Sequence, residues 1–127
     1  MYARDRAARS LGIEIVAVRA GFAHCEMTVR EEMLMGHGIA HGGFVFALAD
    51  AAFAYACNSR NEANVALQCS ISFVTAARLG DRLVALADQR AHGNRTGVYD
   101  VTVSAGEVEI ALFRDVPYRL RRAVIEP

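Results

Sequence analysis

The stretch from His41 to Ser59, HGGFVFALADAAFAYACNS, constrains this chain more than any other. It is apolar almost without a break from Phe44 to Cys57, and its Ala, Leu and Phe content favours helix. It is too short for a membrane span, which needs about 20 apolar residues, and Asp50 interrupts it. A helix that is apolar on all sides must be wrapped by something else. Asp50 carries the one full charge between His41 and Arg60. A carboxylate in the middle of a buried helix is costly unless it is paired or has a chemical task.

The entry to this helix is unusual as well. His41-Gly42-Gly43 leads in with no Ser, Thr, Asp or Asn to cap the first turn. The first N–H groups therefore lack an obvious partner. Gly42 and Gly43 let a ligand come close to the backbone. Free N–H groups at the positive end of a helix dipole suit an anion, or an oxygen becoming one. Gly42 and Asp50 are separated by about 12 Å of helical rise, too far to grip one small reacting group. If the two cooperate, two copies of the chain must meet.

The chain's 127 residues suffice for one domain with a real core, spanning 1–127. Apolar residues make up 54% and charged residues 22%. That balance excludes a disordered chain. Basic and acidic residues balance at 14 each, so nothing drives the protein toward nucleic acid or a membrane surface. The N-terminus MYARDRAARS lacks the apolar region of a secretion signal. Cys25, Cys57 and Cys69 are odd in number, lack metal-ligand spacing and sit in apolar segments. Reduced, buried thiols in a cytoplasmic protein are therefore expected.

Periodicity orders the elements. A short helix over Arg4–Ser10 ends near Gly12. Ile13–Arg19 and Phe22–Val29 alternate and read as a hairpin about Ala20-Gly21. A glycine-containing loop, EEMLMGHGIA, runs to Ala40. The buried helix ends near Asn58, a candidate for a left-handed closing residue, with Arg60 suited to the negative end of the dipole. Val65–Val74 then places Val65, Leu67, Cys69, Ile71 and Phe73 on one face. Strands over Arg82–Ala91, Thr96–Ser104 and Glu107–Tyr118 complete four strands in meander. Pro117 and Pro127 are expected clear of the sheet interior. One helix is covered on all sides only if the sheet curls around it. Such a sheet leaves an open edge, so self-association is expected.

The segments GHGIAHGGFVFALADAAFAYACNS, GDRLVALADQRAHGNRTGVYDVTV and ALFRDVPYRL together resemble the PaaI group of hotdog-fold acyl-CoA thioesterases, associated with phenylacetate degradation. The resemblance runs from Leu11 to Arg121. It implies an α+β hotdog fold, a curved antiparallel sheet wrapped around one long central helix. It implies active sites between protomers, and a homotetramer built as a dimer of dimers. The Gly42 N–H looks like the oxyanion donor of one protomer, with Asp50 of the other as general base or nucleophile. His41 is placed at the catalytic entry. Met35, Gly43, Asn58, Ser59 and Phe73 are candidates for contacting substrate. The implied substrates are aryl-acyl-CoA thioesters such as phenylacetyl-CoA and its ring-hydroxylated relatives. No cofactor is implied.

The chain departs from the family pattern at three points. Met35 stands where an Asn is usual, Asp115 where a Gly is usual, and the Pro common near Ala76 is absent. A thioether cannot donate a hydrogen bond to a thioester carbonyl. The other two departures are expected to affect the rim and the last strand more than the chemistry. A binder of acyl-CoA without efficient turnover is therefore the competing reading. A hotdog dehydratase fits less well, because it wants a paired His and carboxylate. His37 and His41 are four apart, but Gly38 disfavours a helix between them and no third ligand is placed, so no metal is expected. Cys57 shares Asp50's face of the helix and is expected as a buried thiol. Arg60, Arg78, Arg82, Arg90 and Arg95 are candidates for gripping the CoA phosphates.

Overall fold

The chain forms six strands and two helices in a computed structural model that describes residues 2–120 and residue 123. In chain order they are α1 (Arg6–Ser10), β1 (Glu14–Arg19), β2 (Phe22–Thr28), α2 (Gly42–Cys57), β3 (Asn64–Phe73), β4 (Arg82–His92), β5 (Gly97–Ala105) and β6 (Val108–Arg119). The short helix expected over Arg4–Ser10 divides in two. A 3₁₀ turn at Tyr2–Arg4 precedes Asp5, whose Oδ1 accepts from the Ala8 N–H (3.0 Å) and so caps α1.

All six strands join one antiparallel sheet in the order β1-β2-β4-β5-β6-β3. The expected meander holds for β4-β5-β6 but not for β3, which pairs with β6 at the far edge while β4 pairs with β2. The chain enters α2 from one side of the sheet and leaves it at the other. Alternation tells which residues of a strand share a face; it does not tell which strand lies alongside.

The inner face packs on α2. Ala23, Cys25 and Met27 of β2, Leu83, Ala85 and Ala87 of β4, and Val101 and Val103 of β5 meet Leu48, Ala49, Ala52 and Ala56 in one buried cluster. The small side chains on both sides let helix and sheet approach closely. Phe46 stands edge-on to Phe113, with 5.4 Å between centroids, and Phe53 edge-on to Tyr99 at 5.7 Å. These aromatic pairs fix the helix over β5 and β6. This is the hotdog arrangement the sequence implied. Among the described residues no helix is long and apolar enough to cross a membrane.

β3 is an edge strand, as β1 is. Most of its side chains are exposed, Val65, Leu67 and Phe73 at 47%, 62% and 54%. Cys69 is therefore exposed, against the expectation of three buried thiols; Cys25 and Cys57 are buried. A bulge between Ala66 and Gln68 leaves Leu67 without a partner on β6 and breaks the expected five-residue face. Pro117 lies inside β6, contrary to expectation. It sits opposite Ala66 at that bulge, beyond the last β5 pairing at Asp115, where a missing N–H is tolerated. Pro127 lies outside the described residues.

Candidate active site

α2 begins at Gly42 and ends at Cys57, so Asp50 falls in its middle. His41 occupies the N-cap position, but its side chain makes no capping hydrogen bond. Its backbone anchors the entry instead: the His41 N–H donates to Met33 O (2.9 Å) and the Phe44 N–H donates to His41 O (3.1 Å). Among the described residues the Gly42 and Gly43 N–H groups have no backbone acceptor. They form the positive end of a long helix, aimed outward.

Gly42 opens onto a cleft of about 370 Å³ lined by Ala40, Val45, Phe73, Thr75, Ala77 and Ile110. The Phe73 ring closes one side of it: a Cβ on Gly42 would lie 2.8 Å from Phe73 Cζ. Gly43 is exposed, and a Cβ there would meet nothing within 4 Å, so close approach is required at Gly42 alone.

The loop before α2 is held in shape by Met35 N–H donating to Ile39 O (2.9 Å) and by a bridge between Leu34 and Ala40. His37 at its tip has a φ of 68°. That is a strained conformation for a non-glycine residue. Met35 lies on this loop and is 46% exposed. His37 and His41 do not form a metal pair. No cluster of three or more metal-binding side chains exists among the described residues.

Asp50 is half-buried, and no hydrogen bond or ion pair engages its carboxylate among the described residues. It lines a second, separate groove of about 170 Å³ between α1 and α2, with Asp5, Leu11, Ala47 and Ala54. Burial raises its pKa above the usual carboxylate range, and the nearby Asp5 charge raises it further. Asp50 is therefore a stronger base than a free aspartate. Gly42 and Asp50 of one chain open into different clefts, as their helical spacing requires.

Asn58 and Ser59 are not brought to either cleft. The Asn58 amide donates to Ala54 O (2.8 Å) and accepts from the Asn64 N–H (2.8 Å). Ser59 Oγ donates to Ala56 O (2.6 Å) and accepts from the Gly21 N–H (2.8 Å). Both side chains close the C-terminal end of α2, and Ser59 ties it to the β1–β2 turn. Asn58 is not the left-handed residue expected there (φ −97°); Asn61 is, at φ 58°. Cys57 is buried, and burial pushes its thiol up to about 12. A thiol held protonated in this way is removed as a nucleophile.

Several of the candidate phosphate-binding arginines are engaged elsewhere. Arg82 pairs with Glu14 and Glu26, Arg90 with Asp100, and Arg95 lies over Tyr118. Arg78 is exposed and follows Ala77, which lines the Gly42 cleft; its backbone bridges Ile39.

Two residues that bear on Asp50 were not singled out from sequence for that role. Asp5 was legible only as part of a short N-terminal helix. Asp115 was expected to concern the rim and last strand more than the chemistry, but it is fully buried on β6 and the Asp50 charge acts on it. The signal for it was present: Ala111, Phe113 and Asp115 share one parity on β6, and the first two are plainly core residues.

Comparison with known proteins agrees with this geometry. The family described as "Thioesterase superfamily" matches residues 37–111. The chain is 47% identical over 121 residues to the acyl-coenzyme A thioesterase PaaI of Escherichia coli, covering 94% of this chain and 86% of that one. The solved structure of the E. coli PaaI protein from the phenylacetic acid degradation operon superposes with a TM-score of 0.95 at 45% identity, covering 97% of this chain and 90% of that one. A solved mutant of the phenylacetic acid degradation protein PaaI from Thermus thermophilus gives a TM-score of 0.88 at 37% identity, covering 91% of this chain and 100% of that one.

Proposed function

The chain belongs to the thioesterase superfamily and is a thioester hydrolase, and from this premise we propose that it cleaves aryl-acyl-CoA thioesters, such as phenylacetyl-CoA, at sites shared by two protomers. The observation that carries this reading is the pair of unengaged groups on α2: a half-buried Asp50 with no partner, and an uncapped Gly42 N–H in a different cleft. Joining two copies brings one protomer's Gly42 to the other's Asp50.

In this reading the thioester carbonyl oxygen points at the Gly42 N–H. That donor, aided by the helix dipole, stabilises the charge that grows on the oxygen as the carbonyl carbon becomes tetrahedral. Asp50 removes a proton from the attacking water, or attacks the carbon itself and forms an anhydride that water then opens. The C–S bond breaks, the sulfur leaves as the CoA thiol, and the carboxylic acid is released. His41 fixes the entry of α2 through its backbone, and Phe73 shapes the cleft over Gly42. Arg78, exposed next to Ala77 of that cleft, is our candidate for meeting a CoA phosphate.

The exposed apolar edge of β3 supports association between copies, and a dimer of dimers is the assembly we assign. The single sheet around one helix supports one domain over residues 1–127, and the buried thiols Cys25 and Cys57 fit a cytoplasmic setting.

Met35 favours a second reading, in which acyl-CoA binds without efficient turnover, because no amide stands there to orient the carbonyl. Thiol release from phenylacetyl-CoA separates the two, with Asp50→Asn and Met35→Asn beside the parent. Hydrolysis lost in Asp50→Asn supports the enzyme. Binding without thiol release, across several aryl and alkyl thioesters, supports the binder. A gain in Met35→Asn shows that the missing amide limits the rate.

A further inference from the structure

The end of α2 opposite Gly42 borders a second polar site, which the thioester chemistry does not use. A cavity of about 20 Å³ lies there, lined by Cys57, Arg60, Glu62, Gln89, Tyr99 and Arg119 among others. That space admits one water-sized occupant. Strand alternation brings the lining together. Gln89 shares the parity of the core residues Leu83, Ala85 and Ala87 on β4, and it pairs with Tyr99 of β5. Arg119 shares the parity of Phe113 and Pro117 on β6.

The lining is rich in donors. Two buried side-chain nitrogens among the described residues have no hydrogen-bond acceptor, Gln89 Nε2 and Arg119 Nε, and both residues line this cavity. Arg119 Nε is 2.9 Å from Glu62 Oε2, an ion-pair distance, but the oxygen lies off the line of the N–H, which stays unengaged. Tyr99 adds a third donor. Arg60 reaches its hydroxyl, and a guanidinium only donates, so the oxygen accepts and the O–H proton is left for another acceptor. Buried donors without acceptors are costly, and three around one small space call for an acceptor inside it.

The charges around the space do not cancel. Arg119 is matched by Glu62, whereas Arg60 has no carboxylate partner among the described residues. His92 accepts from Arg119 at Nε2 and so adds no charge. Two guanidiniums against one carboxylate leave one positive charge. The negative end of the α2 dipole is already covered, because the Ala54, Ala56 and Cys57 carbonyls accept from the Asn58, Ser59 and Asn64 side chains.

We propose that this cavity binds a single monovalent anion of halide size, such as chloride. The Gln89 amide, the Arg119 N–H and the Tyr99 hydroxyl donate to it, and Arg60 supplies the balancing charge. A water must donate as well as accept, and it leaves the positive charge in place. A phosphate or a carboxylate is too large for the space. The ion ties the end of α2 to β4, β5 and β6, contacts that exist only in the folded chain, so it stabilises the fold by mass action.

The test is Tm measured as chloride replaces gluconate at constant ionic strength and pH, in the parent, Gln89→Leu and Arg60→Gln. The parent Tm is expected to rise by about 3 °C or more and to level off by about 200 mM chloride. Bromide is expected to give the same saturable rise. Gln89→Leu and Arg60→Gln are expected to flatten the titration, and either suffices if the other fails to fold. If both fail to fold, crystals of the parent grown in bromide decide, with an anomalous peak expected within reach of Gln89 Nε2 and Arg119 Nε. A parent Tm indifferent to the anion overturns the proposal and makes a buried water the occupant. A rise that does not saturate, a saturable rise that survives in a folded variant, or a bromide peak only elsewhere overturns it as well.

Discussion

Phe73 lies so close over Gly42 that a Cβ on the glycine would come within 2.8 Å of its Cζ. The last residue of β3 thus sets the ceiling over the first turn of α2. Gly42→Ala presses on a ring that is half-exposed and free to move away. The expected result is a small change in Tm with kcat/KM down about 10- to 100-fold, because the ring is pushed into the cleft where we propose the carbonyl binds. Adding Phe73→Leu removes the clash and recovers most of the lost activity. Full activity in Gly42→Ala alone contradicts this coupling.

Asp5 and Asp50 line the same groove between α1 and α2. Burial is the larger cause of Asp50's raised pKa, and Asp5 adds to it. Asp5→Asn removes the charge and keeps an oxygen to cap α1. On the proposed mechanism the acid limb of the kcat/KM profile follows Asp50, and it is expected to move to lower pH. An unmoved limb contradicts either the action of Asp5 on Asp50 or the role proposed for Asp50.

Asp115 makes the fold pH-dependent. Its burial, with the Asp50 charge nearby, pushes its pKa up to about 7 from an unfolded value near 3.8. The folded chain therefore holds this proton where the unfolded chain has released it. The stability linked to it is fully present below about pH 4 and is lost as pH rises toward 7. Asp115→Asn cannot ionise, so its Tm relative to the parent is expected to rise across that window and to level off above it. The difference is on the order of a few kcal/mol at pH 8. Thermal melts from pH 4 to 8 check this; a Tm difference that does not change with pH contradicts it.

The sequence was most legible where one physical demand dominated. An apolar run with a lone carboxylate could only be a wrapped helix, so α2, its entry at Gly42 and the isolation of Asp50 were readable from the residues. The place of β3 was not. Its alternation resembled that of a buried strand, but it lies at an edge of the sheet, where Cys69 is exposed, and a bulge between Ala66 and Gln68 takes Leu67 out of the pairing. Asn58 and Ser59 showed polarity near a site without showing what that polarity binds; the Ala54 and Ala56 carbonyls and the Gly21 N–H claim it. Asp115 was read as a matter of the rim and last strand because a charge near the end of a last strand is usually solvated. Here the pairing with Tyr99 on one side and Cys69 on the other keeps that strand in the sheet far enough to bury it.

The central claim is that each site takes Asp50 from one protomer and the Gly42 N–H from another. Gly42→Pro removes that N–H at the first helical position, where the backbone accepts proline, and its ring presses on Phe73 as Gly42→Ala does; both lesions fall in the same half of the site. Asp50→Asn removes the base, and a loss of about 10³ or more in rate corresponds to about 4 kcal/mol of barrier. Each variant alone is expected to release almost no thiol from phenylacetyl-CoA. Produced together, the two exchange into mixed dimers in which one site carries both lesions and the other neither, so about a quarter of the parent sites are restored. Thiol release at that level from the mixture establishes the shared site. A mixture as inactive as its two components, with mixed dimers shown to be present, contradicts it.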